Sequence, residues 1–280
     1  MTDTNRVRDD QHQLWNGPGA EAWIDNRDIL DAMFHPFEAI LVAAVRAAGA
    51  GRVLDLGCGT GSTSLAIADD LGAEGSVLGL DISAPMIAVA EARAAAAGSA
   101  ARFLAADAAT HDFAAADFDM IVSRFGVMFF ADPVAAFANL HRATRPGAGT
   151  FLVAWRGPSD NPFMTTAERA AAPLMPDFPT RRSGGPGQFG FADADHVRGI
   201  LGAAGWSTVD IAPLDVAGAF PAADLDRYVT GLGPLGLALR DADAGLRARV
   251  TDAVAAAFAP HVTGGEVRFN AACWAIRARA

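Results

Sequence analysis

The chain has 280 residues, 51% of them hydrophobic and 19% charged, a composition that excludes a disordered protein. Its net charge is −10, from 32 acidic and 22 basic residues, which argues against a nucleic-acid partner. The two cysteines, Cys58 and Cys273, are too few for a disulfide framework or a multi-cysteine zinc site, and no His/Cys/Asp cluster has metal-ligand spacing, so no metal is expected.

Every basic residue is Arg. The absence of lysine removes Schiff-base chemistry, a lysine general base and a phosphate-binding P-loop. Residues 1–13 are polar and lack the apolar core of a signal peptide. No stretch approaches the twenty or so apolar residues that a membrane helix needs. A soluble, cytoplasmic protein with no membrane partner is expected.

In chain order, residues 1–45 precede the first strand and carry Trp15 and Trp23, eight positions apart. A short buried strand is predicted at 53–56 and a helix at 62–71. A second strand follows at 77–80. The next helix, 84–97, has Ser83 as N-cap and Pro85 in its first turn. Strands at 102–105 and 118–123 come next, then a helix at 133–144 stopped by Pro146-Gly147, and a fifth strand at 150–155. Strands separated by helices of this length form right-handed βαβ units and a parallel sheet.

Beyond Trp155 the pattern loosens. Residues 157–190 are rich in Pro and Gly, loosest at Gly184-Gly185-Pro186-Gly187. A helix is expected at 193–204, a strand at 206–214, mostly helix over 225–260, and a last strand at 266–276 near a sheet edge. The chain divides into an N-terminal arm (1–45), a nucleotide-binding core (46–155), and a remainder (156–280) holding cap insertions and the last strands.

The sharpest signal is Asp55-Leu56-Gly57-Cys58-Gly59-Thr60-Gly61, where the first strand turns into a helix. Open α/β sheets bind ligands at that edge. Glycines let the backbone approach a ligand, and the helix start offers free N–H groups. A dinucleotide fingerprint needs a third glycine where Ser62 stands. S-adenosylmethionine has no phosphates and carries an amino group and a sulfonium, which Asp55 suits better than a pyrophosphate does.

These residues resemble the first motif of the class I S-adenosylmethionine-dependent methyltransferases. Leu80-Asp81-Ile82-Ser83-Ala84-Pro85-Met86, Ala106-Asp107-Ala108, Phe118-Asp119-Met120-Ile121-Val122-Ser123 and Arg145-Pro146-Gly147-Ala148-Gly149-Thr150 resemble its later motifs in order. The chain resembles the branch typified by quinone-biosynthesis and small-molecule methyltransferases. The resemblance covers residues 51–155. It implies an α/β, Rossmann-like sheet of seven mostly parallel strands, the last antiparallel, with helices on both faces. A helical cap would be built from residues 1–45, 156–192 and 217–263.

The resemblance implies S-adenosylmethionine as cofactor, held by Asp55, Gly57, Cys58, Gly59, Thr60 and Gly61. Asp81 would accept both ribose hydroxyls, a role an acid also fills in dinucleotide enzymes. Asp107 would receive the adenine amino group, with Ala108 giving a backbone N–H, or else Asp107 caps a helix. Ile82 and Met86 would flank the adenine, with core packing as the other role for Met86. Ser123, Arg124 and Phe125 follow the fourth strand, facing donor and acceptor. Arg124 either binds an anionic acceptor or pairs with Asp132. Phe125 and the apolar run to Phe130 form a substrate wall or pack the core. Trp15 or Trp23 would close over the sulfonium from an N-terminal lid, or pack the arm on the core.

The expected activity is methyl transfer to a small, largely apolar acceptor by in-line displacement, in which positioning is the enzyme's main contribution. His12, His35, His111, His141, His196 and His261 lie in no motif, so no catalytic base is assigned. Neither the acceptor atom nor the oligomeric state is encoded in a motif. The alternatives are a nicotinamide-dependent oxidoreductase and a catalytically silent cofactor-binding protein.

Overall fold

Five short strands with apolar interiors line up in parallel: β1 (Arg52–Leu56), β2 (Ser76–Asp81), β3 (Arg102–Ala105), β4 (Phe118–Arg124) and β5 (Thr144–Trp155). β1 is buried along Val53–Leu56, as a strand covered on both faces must be. The computed structural model describes residues 3–178 and 185–280. Of the Gly/Pro stretch at 184–187, Gly184 lies outside the described residues.

The sheet order is β3-β2-β1-β4-β5-β8-β6. β8 (Glu266–Arg279) runs antiparallel between β5 and β6 (Ser207–Pro221), and a two-residue strand, β7 (Val262–Thr263), pairs with β8. The fold is therefore the expected Rossmann-like, mostly parallel sheet. Its order reverses between β1 and β4, so the crevice at their carboxyl ends is the topological switch point.

Before the sheet come α1 (Asp3–Trp15), α2 (Pro18–Asp25) and α3 (Arg27–Ala48). In α3 a stripe of Ile29, Met33, Phe37, Leu41 and Val45, repeating every four residues, is buried in the core. The crossover helices are α4 (Ser62–Leu71), α5 (Ala84–Ala97), α6 (Pro133–Ala143) and α8 (Ala194–Ala203). Ser83 Oγ caps α5 by accepting the Met86 amide at 3.3 Å. α7 (Pro162–Ala171) packs on α10 (Gly233–Leu239) and α11 (Ala244–Phe258), and α9 (Leu225–Gly231) packs on both of those helices.

Four features differ from expectation. The sheet has eight strands rather than seven, because residues 262–263, expected in the cap, pair with β8. β5 begins at Thr144, six residues early, because Thr144 already pairs with Phe118 of β4; the expected turn at Pro146-Gly147, with Gly147 at φ +79°, lies within the strand as a bulge before pairing resumes at Gly149. β6 reaches Pro221, so residues 217–221, expected in the cap, pair with β8. The helical stretch 225–260 is three helices, broken near Leu232 and Asp243.

Candidate active site

The loop after β1 is shaped by its glycines. Gly57 has φ +66°, and a Cβ there would sit 2.6 Å from Gly126 Cα, so only glycine lets this loop pack on the loop after β4. Gly61 has φ +85°, and a Cβ would meet Ala90 Cβ and the Phe103 ring at 2.9 Å. Gly61 thus serves helix–strand packing. The Gly57 and Cys58 amides donate to Leu80 O at 2.7 and 3.1 Å, binding this loop to the end of β2.

Asp81 stands at that end. Its Oδ2 accepts the Gly59 amide at 2.8 Å, and its Oδ1 accepts the Ser83 amide at 2.9 Å. Burial raises its pKa against these hydrogen bonds. Ile82 and Met86 line the same cavity, and Met86 is also buried in the core. Asp107 follows β3, and its Oδ1 accepts the Ala109 amide at 2.9 Å. No helix starts there, so the capping alternative gives way to an Asx-type turn. Ala108 is buried, with its carbonyl accepting Asn139 Nδ2 at 2.9 Å.

Asp55 is 1% exposed and accepts Ser64 Oγ at 2.6 Å. Burial raises its pKa to about 6, with Ser64 and Arg124 opposing. Asp55, Cys58, Thr60, Thr63 and Arg124 surround a small cavity of about 30 Å³ beside the loop. Burial pushes the Cys58 thiol up, so it stays protonated. The Thr60 carbonyl and hydroxyl accept Arg93 Nη1 at 2.9 and 3.1 Å. Thr63 Oγ1 is buried and has no hydrogen-bond partner among the described residues.

Arg124 departs from expectation. It does not pair with Asp132, which caps α6 by accepting the Ala135 amide. Arg124 Nη2 donates to Ser62 Oγ at 2.9 Å, Nη1 faces Glu38 Oε1 at 3.4 Å, and the guanidinium lies 5.6 Å from the Phe34 ring centroid. The β4 edge faces α3 here, and α3 supplies the acid. Ser123 is fully buried, donating to Leu56 O at 2.7 Å, and lines neither cavity.

A cavity of about 650 Å³ opens from Asp81 and Asp107 to a chamber between α1, α3, α7 and α10. Phe125 stacks on Trp155 with ring centroids 4.2 Å apart, at φ +64°, a conformation its sequence did not announce. Both line the chamber with Phe34, Phe163 and Met164. Trp15 and Trp23 also line it, their rings 6.1 Å apart edge to face, and Trp15 packs on Phe129 at 5.1 Å. Among the described residues no histidine lines the cavity. Sequence reasoning missed Phe34, Thr63 and Trp155. Trp155 ends a strand at the ligand-binding edge, which was a usable signal, whereas Phe34 reads as an ordinary core position of an amphipathic helix.

A methyltransferase-domain family model matches residues 53–147. The chain is 30% identical over 178 residues to a demethylmenaquinone methyltransferase of Renibacterium salmoninarum, covering 61% of this chain and 72% of that protein. It is 37% identical over 113 residues to a demethylmenaquinone methyltransferase of Thermus thermophilus, covering 40% of this chain and 50% of that one. Against that second relative the chain spans half the length. A solved structure described by the conversion of a disulfide bond into a thioacetal group during echinomycin biosynthesis superposes with a TM-score of 0.53 at 26% identity, over 85% of this chain and 80% of that one. The chain belongs to the class I S-adenosylmethionine-dependent methyltransferases, of the quinone-biosynthesis-like kind.

The residues present fit that cofactor. Two carboxylates at successive strand ends, apolar side chains between them, and an orphaned Thr63 hydroxyl beside Asp55 and Arg124 match a diol, an aromatic ring and a zwitterionic tail. Such a donor set does not suit a pyrophosphate, which is held by helix N-termini and basic groups.

Proposed function

We propose that this protein transfers a methyl group from S-adenosylmethionine to a small, largely apolar acceptor by in-line displacement. The supporting observation is the continuity of the cavity, from the Asp81–Asp107 edge to a chamber walled by Phe34, Phe125, Trp155, Phe163 and Met164.

S-adenosylmethionine, when bound, supplies a methyl group activated by a positive sulfur. Asp81, already oriented by Gly59 and Ser83, would accept the ribose hydroxyls. Ile82 and Met86 would flank the adenine, with Asp107 and Ala108 at its polar edge. Asp55, Thr63 and the loop Gly57–Gly61 would hold the amino-acid end. Trp15 would set an aromatic face near the positive sulfur, where a ring favours a cation. The Phe125–Trp155 stack would exclude water and orient the acceptor. Arg124 borders both cavities and would orient a negatively polarised group at their junction.

The test incubates the protein with methyl-labelled donor and three acceptor sets: hydroxylated aromatic compounds, small polar amines, and short thiols. Label is expected in the aromatic set, with stoichiometric S-adenosylhomocysteine. Label confined to the polar amines would overturn the proposed acceptor class. Donor binding with no transfer to any set would favour a silent cofactor-binding protein.

A further inference from the structure

Asn16 is the first residue after α1, and its amide is fully engaged. Nδ2 donates to His12 O at 3.0 Å, within the last turn of α1, and to Ile82 O at 3.1 Å. Oδ1 accepts the Ala84 amide at 3.0 Å. Ala84 opens α5, so Asn16 satisfies one of the N–H groups that a helix start leaves unpaired. One planar side chain thereby joins the end of the arm to the turn Ile82–Ala84, across 66 to 68 positions of sequence.

That turn positions Asp81: the Ser83 amide within it holds Oδ1 of the carboxylate. On the other side of Asn16, Trp15 donates Nε1–H to Gln11 Oε1 at 3.2 Å and packs on Phe129, and Arg8, Gln11 and Trp15 face the cavity from one side of α1. The wall over the cavity and the carboxylate at its floor therefore share one connector. α1 itself is strongly polar.

We propose that Asn16 is a positioning residue for the methyl donor: it locks the Ile82–Ala84 turn so that Asp81 presents its carboxylate, and couples donor binding to docking of α1. The proposal rests on the donor site described above. If Asp81 and Asn16 act through one turn, their substitutions are not additive, since residues in one hydrogen-bond network share their effect.

The experiment titrates wild type, Asn16→Ala, Asp81→Asn and the double variant with S-adenosylhomocysteine by calorimetry. Circular dichroism checks the fold of each. Asn16→Asp is the second variant: it keeps the acceptor for Ala84 and loses both donated bonds. Asn16→Ala is expected to weaken binding at least fivefold in the wild-type background and less than twofold in the Asp81→Asn background. Asn16→Asp, which sets a carboxylate oxygen against the His12 and Ile82 carbonyls, is expected to weaken binding at least as much as Asn16→Ala. Trypsin is expected to cleave the arm of Asn16→Ala, at Arg6 or Arg8, at the same rate with and without ligand, whereas ligand slows cleavage of wild type. A loss below fivefold, or a loss of twofold or more in the Asp81→Asn background, overturns the proposal. Absence of binding by wild type would instead overturn the donor site itself.

Discussion

Oδ2 of Asp81 accepts the amide of Gly59 at 2.8 Å, so the carboxylate ending β2 and the loop after β1 are one unit. The bond spans 22 positions of sequence and links neighbouring strands. A change in the loop is therefore expected to reach Asp81 without touching it.

Gly61→Ala tests whether the loop's last glycine is structural. The new methyl group would lie 2.9 Å from both Ala90 Cβ and the Phe103 ring, in a backbone conformation that disfavours side chains. Overpacking of this kind costs about 1–3 kcal/mol. Urea unfolding is expected to show that loss. Wild-type stability in Gly61→Ala would return the residue to a ligand-binding role alone.

The Asp55 carboxyl gives stability a pH signature. Its pKa is raised from an ordinary 3.8 to about 6 by burial, so the folded protein holds its proton more tightly than the unfolded chain. This contribution is fully present below about pH 4 and is lost as pH rises through 6. The gap corresponds to roughly 3 kcal/mol. Asp55→Asn keeps an acceptor for Ser64 and removes the ionisation. Its stability relative to wild type is expected to increase between pH 4.5 and 7.5 in urea titrations. A difference that is constant across that range would contradict the raised pKa. Donor affinity is expected to fall in the same variant, because the ammonium end loses its carboxylate.

Arg124 and Glu38 form a pair with side chains 11% and 13% exposed. Removing one partner of a buried pair costs about 3–5 kcal/mol when the other is left uncompensated; here Glu38 keeps the exposed His35 ring at 3.3 Å, which sets the lower end of that range. Arg124→Met is expected to lose about that much, and adding Glu38→Gln is expected to restore at least 1 kcal/mol of it. A double variant no more stable than Arg124→Met would show that the pair is not coupled.

The strand edge at which the donor is proposed to bind was legible because its residues are local in sequence. Asp55, Gly57, Gly59, Asp81 and Asp107 stand at the ends of consecutive strands, and strand period plus turn chemistry fixes such positions. The partner of Arg124 was not legible, because Glu38 lies 86 positions away on α3, and only the packing of that helix brings them together. The arm was equally opaque: α1 is polar and docks through Asn16 and Trp15 rather than through an apolar stripe. The early start of β5 was hidden by Pro146 and Gly147, which read as a turn between elements but turn within a bulge of the strand, between Thr144 and Gly149. The chamber walls come from α3, β4, β5 and α7 at once, a convergence that no local pattern encodes.

The proposed role of the Asp81 carboxylate, holding the ribose of the methyl donor, is tested most directly by calorimetric titration of Asp81→Ala with S-adenosylhomocysteine. Charge-assisted hydrogen bonds are worth about 1.5–3 kcal/mol each. After replacement by water, the expected loss is roughly ten- to hundredfold in affinity, at about 1.4 kcal/mol per decade. Asp81→Asn, which keeps one acceptor, is expected to lose less. A folded Asp81→Ala protein that binds S-adenosylhomocysteine as tightly as wild type would contradict the placement of the ribose and the donor site built around it.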